Sequence, residues 1–349
     1  MSELAGFTAR DRVLVTAPHP DDEAIATGGV LQAVHAAGAA TRVLVITDGD
    51  NNPWPQRWIE KRWNIGAAER ARWGAQRRTE ALAALRVLGV AEGDARCFGL
   101  PDLGLTDLLM SGDAAIDAAL TTQLDEFRPT HLFLPALEDR HPDHSALHVL
   151  LQLALSRVQD CAPQLLTFGV HGAAPADDTV VLNLGAAQQE RKRAAIMMHQ
   201  TQMRLSERRF VAYARATEPF RVASTPPRPD AQHPVRAAID PAGNLDVRID
   251  HARWGRRLEG LVLYLVASRA SAEALRWMIA PSAAARGEII DTVTRRSIGV
   301  ANIDRAASET RLVLAPGAGI EAGWIKLARP KPGLFVLDRF GWQPVTLPG

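Results

Sequence analysis

The chain has 349 residues, of which 47% are hydrophobic and 23% charged, and its formal net charge is +1. This composition is typical of a globular protein, and the balanced charge favours neither nucleic acid nor an anionic membrane as a partner. Cys97 and Cys161 lack a CxxC spacing, which argues against a cysteine metal site and suits a reducing compartment. There is no signal-peptide pattern, and no apolar run approaches the ~20 residues of a spanning helix. We therefore expect a cytoplasmic protein without a transmembrane segment.

The first 200 residues alternate between strand and helix patterns. Apolar, β-branched runs predict strands at 12–18, 41–49, 95–102, 130–137, 164–170 and 179–184. Helical patterns fall between or after them, at 23–38, 67–89, 112–127, 144–158 and 185–203. Such alternation predicts an α/β fold of the Rossmann-like kind, with a doubly wound, mostly parallel sheet.

The pattern changes after residue 222. A segment rich in proline and polar residues, 224–234, is typical of a linker. Short strand patterns follow at 244–251, 260–268, 288–300, 310–316, 323–330 and 333–340, with one helix predicted at 271–279. We therefore predict a catalytic domain over 1–222 and a smaller β-rich C-terminal domain over 223–349. A small sandwich is the expected form of the second domain, and its role is not indicated.

Two clusters of histidines and acids follow the first and fourth predicted strands. They are "PHPDDE" (18–23) and "EDRHPDH" (138–144). In a sheet of order 3-2-1-4-5 these two strands are neighbours, and ligands bind beyond the carboxyl ends of such strands. Crowded acids repel one another unless a cation or a proton transfer needs them. Two histidines and a carboxylate suit a hydrolytic zinc centre that keeps one position for water.

The two signatures, in this order, resemble the PIG-L/LmbE family of zinc-dependent de-N-acetylases. Two weaker features agree: an Arg-x-x-Glu helix that ends in Leu-Gly (77–89), and a lysine-containing helix that ends in His-x-x-Gln (192–202). The resemblance covers roughly residues 10–222. It implies a hydrolase that removes the N-acetyl group from an N-acetylglucosamine-type glycoconjugate and releases a free amine and acetate.

The resemblance also implies roles for individual residues. The implied zinc ligands are His19, Asp22 and His144. Asp21 would be the general base that takes a proton from the zinc-bound water. His141 would stabilise the oxyanion or protonate the leaving amine, tuned by Asp143, and either Asp21 or His141 could deliver that proton. Zn²⁺ is the expected cofactor, with Fe²⁺ or another divalent ion as alternatives.

Substrate contacts are expected from four further residues: Arg77, Asp102, Asp50 and His199. Asp50 stands where many relatives have a glutamate, which shortens its reach toward a sugar hydroxyl. His199 could instead serve helix packing. Tryptophans in the segment 51–73 could stack on a sugar, but for most of them packing on their own domain is the favoured interpretation.

Other interpretations remain open at this point. "HPDDE" by itself could be a turn in which Asp21 or Asp22 caps a helix. The enzyme could be an amidase of the same family that cleaves a larger acyl group or a thiol conjugate. From a different class, the α/β part could be an inert sugar-binding module. A dinucleotide oxidoreductase is disfavoured, because the first strand is followed by acids instead of GxGxxG. The expected partner is an N-acetylated amino-sugar conjugate, and an oligomer is compatible with the sequence.

Overall fold

The computed structural model describes residues 2–172, 179–223, 229–255, 257–269, 274–281, 285–315, 320–329 and 337–348. The chain divides into two compact units. The first comprises 1–105, 123–139 and 160–223, and the second comprises 106–122, 140–159 and 224–349. Among the described residues, no helix combines the length and apolarity needed to cross a membrane.

The N-terminal part alternates strands with helices. Its strands are β1 (Ser2–Glu3), β2 (Arg12–Ala17), β3 (Ala40–Thr47), β4 (Ala95–Leu100), β5 (His131–Pro135), β6 (Gln164–Phe168), β7 (Thr179–Asn183) and β8 (Thr217–Val222). Its helices are α1 (Asp22–Ala36), α2 (Pro53–Glu60), α3 (Ala67–Val87), α4 (Leu105–Ser111), α5 (Ala114–Phe127), α6 (Pro142–Leu155), α7 (Ala186–Met197) and α8 (Gln200–Val211).

The first sheet has eight strands in the order β1-β7-β8-β6-β5-β2-β3-β4. Strands β2 to β6 pair in parallel, while β8 runs antiparallel to both β6 and β7. The sheet is therefore mixed but rich in parallel pairs. β2 lies between β3 and β5, so the predicted neighbourhood of the first and fourth strands is confirmed. The loops after β2 and β5 consequently leave the sheet at the same edge.

Apolar strands and one face of α1 build the core of this unit. Val13, Val15, Val43 and Val45 are fully buried and pack in one cluster with Leu31 of α1. Burial on both faces explains why these strands appear as continuous apolar runs and not as alternating patterns.

The C-terminal part forms a separate sheet. Its elements are β9 (Val235–Ile239), β10 (Leu245–Asp250), α9 (His251–Trp254), β11 (Val262–Arg269), β12 (Ala274–Ile279), β13 (Arg286–Asp291), β14 (Ser297–Arg305), β15 (Glu309–Leu314), β16 (Ile320–Ala328) and β17 (Gln343–Pro344). Within the described residues the strands form one nine-stranded sheet of order β17-β16-β11-β12-β13-β14-β15-β10-β9, in which neighbouring strands pair antiparallel. Thr346 bridges back to Ala238 of β9, so the two ends of this sheet meet.

Several predicted elements need correction. The helix expected at 271–279 is wrong over 274–279, which is strand β12 between β11 and β13. Pairing on both sides outweighs the helical propensity of this segment. The run 288–300 is divided between β13 and β14, and one continuous sheet replaces the expected sandwich. Half of the strand expected at 333–340 lies outside the described residues, and the described half, 337–340, is not a strand.

Candidate active site

His19 lies in the turn after β2 and is held by two carboxylates. Its backbone N–H donates to Oδ2 of Asp22 (2.9 Å), and the same oxygen lies 3.3 Å from its Nδ1. On the other side of the ring, Nε2 lies 3.1 Å from Oδ1 of Asp102. All three residues are buried. A histidine fixed between carboxylates in this way has the orientation that metal-ligating histidines commonly receive from their partners.

Asp21 adopts a strained backbone conformation at the start of α1. Its φ is 139°, a value that residues other than glycine rarely adopt. Asp21 stands at the N-cap position, yet its side chain makes no capping hydrogen bond. The interpretation of Asp21 as a simple helix cap is therefore wrong. Its Oδ2 instead accepts from Nη2 of Arg77 at 3.1 Å.

Arg77 reaches Asp21 from α3 and is itself fixed by backbone carbonyls. Its Nη1 donates to the carbonyl of Gly49 (2.6 Å), and its Nη2 donates to the carbonyl of Pro20 (2.7 Å). A Cβ at position 49 would lie 1.9 Å from Nη1, so glycine is needed there. Burial raises the pKa of Asp21 to about 6, while the Arg77 guanidinium acts in the opposite direction.

Glu23 and His199 form a buried ion pair behind Asp21. His199 Nε2 lies 2.9 Å from Glu23 Oε1, and Glu23 Oε2 accepts from the backbone N–H of Asp21. Burial by itself lowers the pKa of His199, but the charge and hydrogen bond of Glu23 outweigh it, so the pKa is raised. His199 interrupts the single helix predicted at 185–203, which is divided into α7 and α8.

The second signature forms the beginning of α6. His141 is the N-cap, Pro142 occupies the first turn, and Nδ1 of His141 accepts from the N–H of Asp143 at 3.3 Å. The rings of His141 and His144 lie 5.2 Å apart between centroids. Asp143 and His144 are fully buried. A neutral His141 with this acceptor bond carries its proton on Nε2.

Three groups of described side chains bring their ligand atoms within 4.8 Å of one another. They are His19–His141–His144, Asp139–His144–His171 and His19–Asp102–Asp143. His19 and His144 each recur in two groups, so the structure has a candidate metal site of histidines and acids. The donor set of imidazole and carboxylate suits Zn²⁺, Fe²⁺ and similar divalent ions.

The remaining predicted residues, Asp50 and Asp102, belong to the first unit. Asp102 accepts from the N–H of Asn51 (3.2 Å) in addition to its contact with His19. Asp50 accepts a long bond (3.5 Å) from the N–H of Asp102, and burial raises the pKa of its carboxyl. The contact of Asp102 with His19 was not predicted. It joins residues 83 positions apart, and no sequence pattern signals it.

Asp139 belongs to the second cluster, "EDRHPDH", but no role was predicted for it. Asp139 is fully buried and accepts from the N–H groups of Val170 (2.9 Å) and His171 (3.1 Å). Its Oδ1 lies 3.5 Å from Nδ1 of His171. The acidic letters before "HPDH" were a signal, but the pattern did not identify their partners.

The N-terminal part therefore belongs to the class of α/β proteins that have a parallel-rich sheet and a candidate histidine–carboxylate metal centre. Residues 14–155 match the family described as PIG-L: GlcNAc-PI de-N-acetylase, and this part of the chain is a PIG-L family domain.

A similar protein is the 1D-myo-inositol 2-acetamido-2-deoxy-alpha-D-glucopyranoside deacetylase of Mycobacterium avium. It is 33% identical over 147 residues, which are 38% of this chain and 47% of the relative. The chain thus spans about half the length of this curated relative.

Solved structures that the chain is similar to include the N,N'-diacetylchitobiose deacetylase of Pyrococcus horikoshii. It has a TM-score of 0.47 and 22% identity, and the match covers 61% of this chain and 83% of that one. A second is the 4-carboxy-2-hydroxymuconate hydratase GalB of Pseudomonas putida, with a TM-score of 0.47 and 20% identity, which covers 58% and 82% of the two chains. Because the two neighbours have different activities, this likeness carries no argument about the reaction.

Proposed function

We propose that the protein is a metal-dependent hydrolase that removes the N-acetyl group from an N-acetylated amino-sugar conjugate. The observation that carries the proposal is the different setting of two consecutive acids. Asp22 lies against the ring of His19, whereas Asp21 is turned away at φ 139° and held by Arg77. Asp22 could thereby bind a metal, and Asp21 could accept a proton.

The metal would be held by His19, Asp22 and His144, with Zn²⁺ as the expected ion and Fe²⁺ as an alternative. The recurrence of His19 and His144 among the groups within 4.8 Å supports the two histidines of this set. Asp22 belongs to none of these groups and is included because its Oδ2 lies 3.3 Å from Nδ1 of His19. When bound, such a metal supplies a Lewis acid and lowers the pKa of a water molecule toward ~7.

Asp21 is proposed as the general base that takes the proton of the attacking water. Arg77 restrains Asp21 Oδ2, and Glu23 bonds the Asp21 N–H, so the carboxylate keeps one orientation. His141, with its proton on Nε2, would donate a hydrogen bond to the oxyanion, and the leaving amine would take its proton from Asp21, which gained it from the water, or from His141 in its protonated, imidazolium form. Asp143 supports His141 through its backbone N–H.

Substrate recognition is proposed for the edge of the sheet that carries these residues. Asp50 and Asp102 would hydrogen-bond sugar hydroxyls there, and Asp102 would also orient His19. Arg77 contacts Asp21 and His199 contacts Glu23, which supports a positioning role for them as much as direct substrate contact.

The proposal extends to the domain organisation, the cellular location and the alternative substrates. Residues 1–222 would form a Rossmann-like catalytic domain, and 223–349 would form an accessory β domain of a cytoplasmic protein. A larger acyl group or a thiol conjugate remains the alternative substrate. An inert sugar-binding module is disfavoured, because a binding site has no need of a strained, arginine-held acid beside a candidate metal centre.

The experiment is an amine-release assay on metal-replete protein. The panel contains nucleotide-linked, lipid-linked and oligosaccharide N-acetylglucosamine, with matched longer-acyl and thiol conjugates. Chelator-treated protein is the control. Metal-dependent release of amine and acetate in equal amounts supports the proposal. Cleavage of longer acyl groups alone would favour the alternative amidase, and sugar binding without any amine release would contradict hydrolysis.

A further inference from the structure

Three tryptophans lie exposed on and after the short helix α2. The exposed fractions of Trp54, Trp58 and Trp63 are 56%, 77% and 80%. Trp54 and Trp58 are four residues apart in the helix and so share one face. Trp73 alone of the four tryptophans in this segment is buried. The expectation that most of these rings pack on their own domain is therefore wrong, and a cluster of exposed tryptophans marks an interaction surface.

The cluster is held in place by Arg57. Its guanidinium lies over the Trp54 ring, 5.0 Å from the centroid, and its Nε donates to the carbonyl of Trp63 at 2.8 Å. These contacts join Trp54 and the backbone of Trp63 through one side chain, and such pre-organisation lowers the entropic cost of binding.

The same surface is strongly basic. α2 packs against α8. Together the segments 51–73 and 200–211, which we name the aromatic-basic face, carry eight basic and three acidic side chains. The excess of five positive charges contrasts with +1 for the whole chain. The balanced overall charge, which had argued against an anionic membrane, conceals this local concentration.

We propose that the aromatic-basic face docks on an anionic lipid surface. Tryptophan rings favour the interface between membrane and water, and arginine and lysine attract anionic head groups. A second copy of the chain is disfavoured as the occupant, because the same face on two copies would bring like charges together. The combination of exposed tryptophans and excess basic charge therefore selects lipid.

The face is connected to the candidate active site by hydrogen bonds. Asn51, just before α2, donates its backbone N–H and its Nδ2 to Asp102, and it accepts from Arg70 at 3.0 Å. Asp102 in turn contacts His19. Docking would hold the site close to the lipid surface, which suits a substrate with a lipid anchor. This last consequence rests on the proposed function, whereas docking itself does not.

The test is sedimentation with vesicles of phosphatidylcholine alone or mixed with phosphatidylglycerol. We expect binding to the mixed vesicles only, weakening as salt is raised. The variant Trp58→Ala/Trp63→Ala and the variant Arg204→Glu/Arg208→Glu should each reduce binding about tenfold or more. The matched control is Ile298→Ala/Val300→Ala, which removes exposed apolar side chains from the other unit and should bind as the wild type does.

Brominated lipids provide an independent reading, since they quench only tryptophans at the bilayer. Quenching that disappears in Trp58→Ala/Trp63→Ala would support docking. Equal binding to uncharged vesicles, equal loss in the control, or binding to nucleic acid or self-association in place of lipid would each overturn the proposal.

A second, independent observation concerns Arg140, which directly precedes "HPDH" (141–144). The backbone N–H of Asp338 donates to the carbonyl of Arg140 (2.8 Å), and Nε of Arg140 donates to the carbonyl of Asp338 (3.2 Å). The carboxylate of Asp338 lies 2.6 Å from Nζ of Lys326, which is 1% exposed on β16. Lys326, a buried cation of the second sheet, thus holds Asp338, and Asp338 hydrogen-bonds Arg140 at the start of "HPDH".

From this geometry we infer that the Lys326–Asp338 pair positions the second signature, including His144, through Arg140. The inference deepens the proposed function and assigns the β domain a part in it. Partners that orient metal ligands typically change metal affinity by about 10–100-fold. Asp338→Asn should therefore weaken zinc binding about tenfold. The control Asp246→Asn, which removes a surface ion pair of the same sheet, should leave zinc affinity unchanged.

Zinc affinity is measured by competition with a chromophoric chelator, so no substrate is needed. Lys326→Met should also lower the zinc affinity, and Lys326→Arg should keep it close to that of the wild type. Thermal unfolding of both variants shows whether the loss arises without a change in melting temperature. Unchanged affinity in Asp338→Asn would overturn the positioning role even if deacetylation is confirmed. Weakened affinity without any amine-releasing activity in the wild type would leave the positioning intact and refute the proposed reaction.

Discussion

Lys192 and Glu218 form a buried ion pair inserted against the middle of α1, and its loss should be severe. Lys192 Nζ lies 2.5 Å from Glu218 Oε1, with the side chains 1% and 2% exposed. Glu218 accepts from the N–H groups of Gly29 (2.6 Å) and Val30 (3.1 Å). Lys192 also donates to the carbonyl of Ile25 (2.9 Å). The pair therefore supports the helix whose first turn carries Asp22.

Lys192→Met removes the cation and leaves the Glu218 carboxylate buried. Breaking one side of a buried pair costs about 3–5 kcal/mol in the free energy of unfolding. For a cooperative unit of about 150–250 residues, this loss corresponds to a fall of roughly 6–20 °C in melting temperature. Because an uncompensated carboxylate is the cause, Lys192→Met/Glu218→Gln should recover a large part of the loss.

Urea and thermal unfolding, followed by circular dichroism, measure both effects. The matched control is Arg86→Met, which breaks an exposed pair with Glu92 and should have little effect. The reasoning would be refuted if Lys192→Met unfolded like the wild type, or if the double variant were no more stable than the single one.

Three further predictions concern the surroundings of Asp21. Arg77→Lys loses the forked contacts that orient Asp21, and amine release should fall about 100-fold with metal content unchanged; a wild-type rate would contradict this. Gly49→Ala places a Cβ 1.9 Å from the Arg77 guanidinium and should reproduce that loss, whereas retained activity would show that Arg77 can move freely. The folded-state pKa of His199 is raised, so its pairing with Glu23 stabilises the protein fully below about pH 6.5, its ordinary pKa, and this contribution disappears as pH rises through the higher folded value. Unfolding measured from acidic to alkaline pH should show this decline in the wild type, and a decline that persists in Glu23→Gln would count against the pair.

The strand pattern and the two signatures could be predicted because they are local. The runs at 12–18 and 130–137 became β2 and β5, which are neighbours, so the edge that bears His19 and His141 followed from strand order alone. Each signature also carried its own helix start, at α1 and α6.

The contacts that hold Asp21 and helix α1 depend on partners distant in sequence. Arg77 lies 56 residues from Asp21, and Glu218 lies 189 residues from Gly29, so no periodicity announces either contact. His199 breaks a run that appears as one helix, because its buried partner Glu23 outweighs local propensity. Segment 274–279 is a strand for a similar reason, since its neighbours are set by the whole sheet.

The most direct test of the account compares wild type with Asp21→Asn, both loaded with zinc and given the N-acetylated amino sugar that the panel identifies. The exposed acid Asp94 provides the control Asp94→Asn. We predict that wild type and the control release amine and acetate in equal amounts, while Asp21→Asn binds as much zinc and releases neither. Amine release by Asp21→Asn at the wild-type rate would contradict the assignment of the two consecutive acids to metal and proton.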